Sequence, residues 1–531
     1  MTPPSAVFKR RIVIGALMCV AAFTLIGARL VGVTLLRGDD IVAKRSAPVF
    51  RARADLVDRN GALMARDLPA DDLYARPNKL ADKRRSAREL AVATGVDEKR
   101  LVELLLGKHN AVLVARRLAA TARQKVDVLR LPGLEYTPNS KRYYPDGRMA
   151  AQVVGVTDPD GKGVSGLEKG LDSRLRAAAA PVATSIDTRV QFVVAHEAQA
   201  SKDEFRARAA GGLVMDVRTG EILALVSLPD FDPNARDFTD SDTRRNIMVQ
   251  DVYELGSVFK IFSFAMAIDN HTVRLDEVLP IGSGYKIGRY TIHEAESMPA
   301  TLTARDVLAL SSNIGTAQIV LRSGAERQRA FLSNMGLLSP VGSELPESAH
   351  PLYPKPGHWG IVETATIGYG HGISVSPLSL AAAAAAVVNG GRRIAPTLLR
   401  HPEDARGGQV ISPETSATMR DLLRCVVTNG TGRKADVPGY DVGGKTGSAE
   451  KNDGRHYQSH KLVTSFLGVF PIEDPRYLVL VVLDEPRGTK ATAGFALAGF
   501  TAAPLAGHVI ARIAPLLGVP MNPITAAKEN S

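Results

Sequence analysis

Apolar positions along the chain follow three patterns, and each predicts a different kind of element. Near the N-terminus, Lys9-Arg10-Arg11 precedes an uncharged apolar run from Ile12 to Ala28, and beyond Arg29 the pattern continues through Leu36. Residues 12–36 are long enough to span a bilayer as one helix, with Arg29 near the outer end, where its long side chain reaches the interface. The basic residues before the run and Asp39-Asp40 after it orient residues 1–11 towards the cytoplasm. A cleaved signal peptide competes, because Ile26-Gly27-Ala28 ends in small residues. The run continues past that point, which favours an uncleaved single-pass anchor. The Ala-rich segment Leu380 to Val388 is too short to span and closes at Asn389-Gly390-Gly391, so it predicts a buried helix with a glycine cap.

Beyond the anchor, helical and alternating patterns mix, which predicts an α+β chain. Asn60-Gly61 is a hairpin turn between short apolar stretches. Residues Ser86 to Leu106 read as one helix with Leu90, Val92, Val96, Leu101, Leu104 and Leu105 as its apolar positions. Composition shifts at Ala177-Ala178-Ala179-Ala180-Pro181, the expected domain boundary. Asp187-Thr188 then caps a helix running towards Glu204. Leu213–Val217 and Ile222–Val226 flank Arg218-Thr219-Gly220-Glu221 as a hairpin, and Leu462–Val469 and Tyr477–Leu483 are two more strands joined through Asp474-Pro475.

Bulk properties narrow the function. A chain of 531 residues with 45% hydrophobic content supports two or three packed domains. The net charge of +11 is spread without a long Lys/Arg run or interleaved aromatics. That suits weak attraction to anionic lipid or wall polymers, and no nucleic-acid partner is expected. Two distant cysteines, Cys19 and Cys425, exclude a disulfide framework, and the histidines show no ligand spacing, so no metal or cofactor is implied.

Three short stretches carry candidate chemistry. In Gly256-Ser257-Val258-Phe259-Lys260, the spacing puts Ser257 and Lys260 on one face of a helical turn. A serine hydroxyl needs a neighbour to take its proton, and a lysine can do so once burial lowers its pKa. Val258, Phe259, Ile261 and Phe262 supply apolar surroundings. The second stretch is Ser311-Ser312-Asn313. The third is Lys445-Thr446-Gly447-Ser448, in a Gly-rich strand expected at a sheet edge. Each is weak alone. In the order S-x-x-K, S-x-N, K-T-G they match the set used by penicillin-binding proteins and serine β-lactamases.

From these residues the chain resembles the class B, membrane-anchored penicillin-binding proteins. Arg53 to Gly61 resembles that family's R-G-x-I-x-D-R-N-G motif, and Arg142-Tyr143-Tyr144-Pro145 through Gly166-Leu167-Glu168 its R-x-Y-P…G-x-x-G-L-E segment. Gly368-Tyr369-Gly370-His371-Gly372 with Ser376-Pro377-Leu378 is similar to the division-specific, penicillin-binding protein 3 type branch. Leu255 stands where a proline is common, and Ser448 where a threonine is usual. The resemblance implies a cytoplasmic tail (1–11), an anchor (12–36), a pedestal (about 45–180), a transpeptidase domain (about 181–517) with a five-stranded antiparallel sheet flanked by helices, and a tail (518–531). It implies a D,D-transpeptidase of the bacterial inner membrane with its catalytic domain in the periplasm. Ser257 would be the nucleophile and Lys260 the base. Ser311 and Lys445 would relay protons, Asn313 would hold Lys260 and substrate, and Lys445, Thr446 and Gly447 would line the site of the substrate carboxylate. The N–H groups of Ser257 and Ser448 would bind the oxyanion. Which lysine acts as base at each step stays open. Implied partners are peptidoglycan stem peptides, β-lactams, an integral-membrane lipid-II polymerase and other division proteins.

Four alternatives compete. An elongation-specific enzyme differs at the Gly368–Gly372 loop. A β-lactamase needs a water-activating E-x-x-L-N loop, and Glu344-Leu345-Pro346-Glu347 does not supply it. A carboxypeptidase would prefer water to an amine as acceptor, and an anchored sensor or scaffold would not need every catalytic residue intact.

Overall fold

The computed structural model describes residues 14, 16–27, 52–235, 241–401, 407–452 and 456–523. Residues 16–27 are helical with exposed side chains. No described helix is long and apolar enough to cross a membrane. Most of the remainder of the expected 12–36 span, including all of 28–36, lies outside the described residues.

The chain divides into two compact units, Met1–Ala52 with Ala70–Asn139, and Arg53–Pro69 with Ser140–Ser531. In the first, the helix expected over Ser86–Leu106 is two helices, Lys83–Thr94 and Glu98–Leu106. Gly95 separates them at φ 72°, a left-handed cap that a continuous helix cannot contain. Asp97 starts the second helix by accepting from the Arg100 N–H. Leu90, Leu101 and Leu105 pack with Leu73, Val112 and Val114 of an antiparallel strand pair. Val92 is 82% exposed. Two residues from buried Leu90, it faces the opposite side of the same helix.

In the second unit, Leu56–Val57 pairs antiparallel with Leu63–Ala65 across the Asn60-Gly61 turn and parallel with Val182–Ala183. A buried ion cluster ties residues 53–67 to 140–172. Arg53 Nε lies 2.5 Å from Glu168 Oε2 and Arg53 Nη1 2.6 Å from Asp172. Arg142 Nε lies 2.7 Å from Glu168 Oε1 and Arg142 Nη1 3.3 Å from Asp67. Buried charges persist only when paired in this way. The cluster groups these segments with the second unit, although sequence order places them on either side of the first.

A five-stranded, fully antiparallel sheet forms the centre of this unit. Its strands are β1 (Ala209–Asp216), β2 (Ile222–Leu228), β3 (Gly443–Asn452), β4 (Tyr457–Phe470) and β5 (Tyr477–Asp484), in the order β3-β4-β5-β1-β2. Five helices frame it: α1 (Thr188–Glu204), α2 (Lys260–Asp269), α3 (Asn313–Asn334), α4 (Pro377–Val388) and α5 (Ala502–Leu516). Strand alternation divides the side chains between two cores. Val214, Val479 and Val481 pack with Val190 and Val194 of α1 and Val509 and Ile510 of α5. Leu213, Leu478 and Leu480 face the core built from α2, α3 and α4. Both faces are buried, so β1 and β5 read as continuous apolar runs. The Ala-rich α4 is buried along nearly its whole length, starts at the Ser376 cap and ends at Asn389.

Candidate active site

The nucleophile candidate sits on a tight turn. Gly256–Phe259 is a 3₁₀ turn that runs directly into α2, whose first residue is Lys260. Residues three apart eclipse in such a turn, so Ser257 and Lys260 project to one side. Gly256 has φ +54°, and a Cβ there would lie 2.6 Å from the Ser448 carbonyl oxygen. A Cβ on Gly447 would lie 2.2 Å from Leu255 O, and one on Gly370 1.9 Å from Gly256 O. Bare backbone at these three positions lets the turn, strand β3 and the 368–372 loop close on each other. Leu255, where the resembled family commonly has proline, is 2% exposed with φ −86°. It packs as a core side chain in a conformation close to that of proline.

Both lysines are fully buried. Lys260 Nζ donates to Ser311 O at 2.5 Å, Ser311 Oγ at 3.1 Å and Asn313 Oδ1 at 2.8 Å. Lys445 Nζ donates to Ser311 Oγ at 3.0 Å, Thr446 O at 3.2 Å and Thr446 Oγ1 at 3.4 Å. Ser311 thus brings one hydroxyl between two amines. It adopts a left-handed φ of +67°, a conformation that a non-glycine residue holds only where its surroundings fix it. Ser257 is half-buried beside this group, and the Lys260 donors are directed to the 311–313 turn.

Burial, followed by the positive charge of Lys445, holds Lys260 well below the usual lysine range, against the opposing pull of Glu294. Burial brings Lys445 down to about 7. Burial, assisted by Lys260, lowers His371 to about 4, so its imidazole is neutral. His371 lies 5.7 Å ring to ring from Tyr457, whose hydroxyl donates to Glu254 at 3.1 and 3.2 Å. Burial raises Glu254, partly offset by hydrogen bonds from Gly372 N–H and Tyr457.

Lys445, Thr446, Gly447 and Ser448 lie on β3, the edge strand, where Ser448 faces Thr464 of β4. Ser448 Oγ accepts from Ala498 N at 2.9 Å. The structure therefore gathers Ser257, Lys260, Ser311, Asn313 and the Lys445–Ser448 stretch at one place. Three contributors carry no sequence signal. Thr431 Oγ1 lies 2.6 Å from Thr446 Oγ1, Glu254 joins the Gly372 loop to Tyr457, and Glu294 binds the turn that carries Asn313. Each reaches the site through tertiary contacts that spacing does not encode.

Known proteins similar to this chain point to one family. Residues 210–505 match the penicillin-binding protein transpeptidase domain, and residues 49–202 the penicillin-binding protein dimerisation domain. The probable peptidoglycan D,D-transpeptidase FtsI of Caulobacter vibrioides is 40% identical over 484 residues, covering 88% of this chain and 82% of that protein. The peptidoglycan D,D-transpeptidase FtsI of Escherichia coli is 27% identical over 531 residues, covering 93% and 89%. Penicillin-binding protein 3 of Mycobacterium tuberculosis, in complex with aztreonam, superposes with a TM-score of 0.70 at 27% identity, over 89% of this chain and 98% of that one. The chain belongs to the class B, division-type penicillin-binding proteins, and it is a serine-type peptidoglycan transpeptidase.

Proposed function

We propose that Ser257 forms an acyl-enzyme with the D-alanyl-D-alanine end of a stem peptide and passes it to the amine of a second stem peptide during septal wall synthesis. The observation that carries this reading is the Ser311 hydroxyl held between two buried lysines. Neutral Lys260 Nζ takes the Ser257 proton as Oγ bonds to the substrate carbonyl carbon, and the carbonyl electron pair moves to oxygen. The N–H groups of Ser257 and Ser448 face that oxyanion in this scheme. As the tetrahedral centre collapses, the C–N bond breaks. The departing D-alanine nitrogen receives a proton through Ser311 Oγ, supplied from Lys260 or Lys445. Lys445 and Thr446 bind the substrate carboxylate, Gly447 leaves room for it, and Asn313 orients Lys260 and the substrate amide. The acceptor amine then repeats the sequence in reverse. A β-lactam stops at the first stage.

The same reading assigns residues 12–36 as the single inner-membrane anchor, about 45–180 as pedestal, and about 181–517 as the periplasmic catalytic domain. A lipid-II polymerase and other division proteins are the proposed partners. Ser257→Ala is expected to abolish covalent labelling by a fluorescent penicillin, and persistent labelling would refute the assignment. Depletion is expected to give filaments; rounded cells would favour an elongation role.

A further inference from the structure

We infer that the Glu294 carboxylate is a positioning group for acylation: it clamps the 312–314 turn so that Ser311 Oγ and Asn313 Oδ1 meet Lys260. The inference rests on the acyl-enzyme reading above. Glu294 follows a small hairpin, Tyr285–Ile287 paired with Tyr290–Ile292, and is half-buried. Its Oε1 accepts from Ser312 Oγ at 2.5 Å and from Ile314 N at 3.0 Å, and its Oε2 accepts from Asn313 N at 2.8 Å. Ser312 Oγ in turn accepts from Gly315 N at 2.9 Å. One carboxylate and one hydroxyl thus engage the first three N–H groups of α3, which no residue of the helix itself could satisfy.

These partners flank the chemistry directly. Ser312 is the residue between Ser311 and Asn313, and the two side chains that Lys260 contacts come from its neighbours. The left-handed Ser311 needs its surroundings to hold it. Fixing Ser312, Asn313 and Ile314 to one rigid anion provides that constraint. A charged acceptor does so more strongly than a neutral one. Asn313 Nδ2 also reaches His293 O at 3.5 Å, from the residue before Glu294, so the hairpin meets the turn twice.

The carboxylate also acts through space. The charged or titratable groups around Lys260 Nζ are Lys445 from β3, Glu294 from the segment after the hairpin, and His371 from the 368–372 loop. Lys445 favours neutral Lys260, Glu294 favours the ammonium, and His371 is neutral. Glu294 therefore limits how far Lys260 falls, keeping its basicity high enough to accept the Ser257 proton.

The test measures the second-order rate of covalent labelling of the full-length protein by a fluorescent penicillin between pH 5 and 9. Glu294→Gln keeps shape and removes charge. Its rate at pH 7.5 is expected to fall about tenfold or more, as a misplaced turn requires. The acid limb of its profile is expected to move to lower pH, because Lys260 loses an anion. Glu294→Asp keeps the charge, so its acid limb should stay at the parent position with a reduced rate. Glu296→Gln, on an exposed neighbour, should match the parent. An unchanged rate in Glu294→Gln overturns the inference. So does a limb that stays or moves to higher pH, the result of a loosened turn that merely admits water to Lys260. Should Glu294→Gln fail to fold by thermal melting, Glu294→Asp decides, and a parent-like rate there overturns the inference. If the parent protein is not labelled at all, the acyl-enzyme reading fails instead.

Discussion

Replacing Lys445 by methionine should destroy activity and make the protein more stable, by an amount that depends on pH. Lys445 is fully buried, and burial brings it from an ordinary 10.5 to about 7. Each pH unit of that difference corresponds to about 1.4 kcal/mol, so burying the ammonium costs roughly 5 kcal/mol where the group is charged in both the folded and unfolded states. Its contacts offset part of this. Nζ donates to Ser311 Oγ, Thr446 O and Thr446 Oγ1. At about 1 kcal/mol each these recover about 3 kcal/mol. Methionine fills similar space without charge, so Lys445→Met should gain about 2 kcal/mol below neutrality. The sign follows from the direction of the shift. A lysine lowered on folding carries its full penalty below the folded value near 7, and the penalty fades as pH rises towards the unfolded value of 10.5.

The assay is a set of melting curves of the parent and Lys445→Met proteins, full-length in detergent, from pH 6 to 9.5. At about 1–2 °C per kcal/mol for a domain of this size, the variant should melt about 3 °C higher at pH 6. The gap should close a little above pH 8 and reverse by pH 9.5, where about 1.4 kcal/mol of penalty stands against about 3 kcal/mol of lost contacts. Penicillin labelling of the same samples should be lost. A variant that melts lower than the parent at pH 6, or a difference that stays constant across the range, would refute the reasoning. Either result would mean that Lys445 is not held as a desolvated amine.

Two other substitutions probe the frame around the site. Gly256→Ala puts a Cβ 2.6 Å from Ser448 O at a positive φ, so the turn and β3 must separate. Labelling should fall about 100-fold while the protein stays folded, and parent-like labelling would show that this contact does not position Ser257. Glu168→Gln removes the shared carboxylate between Arg53 and Arg142. Denaturant unfolding should show a loss of about 3–5 kcal/mol. A loss under about 1 kcal/mol would mean that water reaches the cluster.

The three short motifs are legible in sequence because each is local. Ser257 and Lys260 share a turn, Ser311 and Asn313 flank the Ser312 cap of α3, and Lys445 to Ser448 run along one strand, so spacing alone aligns the residues within each motif. The sheet is legible for a related reason: β1, β5 and residues 463–470 of β4 are apolar enough to be buried on both faces. Gly95 shows where periodicity misleads. The apolar pattern continues across it, but its left-handed φ of 72° ends the first helix and turns the axis. The division into units was hidden more deeply. Arg53, Arg142 and Glu168 are far apart in sequence, and only their shared burial shows that 53–69 packs with 140–172. Glu294 lay out of reach for the same reason. No single helix or strand joins Glu294 to Ser312, 18 residues later, and only the tertiary fold brings the carboxylate to the turn. In sequence, the glycines of residues 368–372 are visible only as a family signature. Their physical role, with Gly370 closing on Gly256 O, appears only once the two backbones are seen together.

The two lysines must be considered as one device. Each lies within 3.1 Å of the same Ser311 oxygen, so their nitrogens are no more than about 6 Å apart. Two ammonium groups at that distance, away from water, repel strongly. The pair is therefore stable with one proton and costly with two. In the proposed acyl-enzyme scheme, a singly protonated pair offers a neutral amine to receive the Ser257 proton and an ammonium to attract the substrate carboxylate, with Ser311 between them as the route for exchange. The second half of the cycle needs the same pair with the roles of donor and acceptor reversed, which a shared hydroxyl allows without moving either side chain. This explains why the acidic partner belongs on the turn and away from the lysines themselves. A carboxylate in direct contact with Lys260 would hold it as an ammonium and stop the chemistry. Bonded instead to Ser312, Asn313 and Ile314, Glu294 fixes the geometry and leaves the amine able to give up its proton.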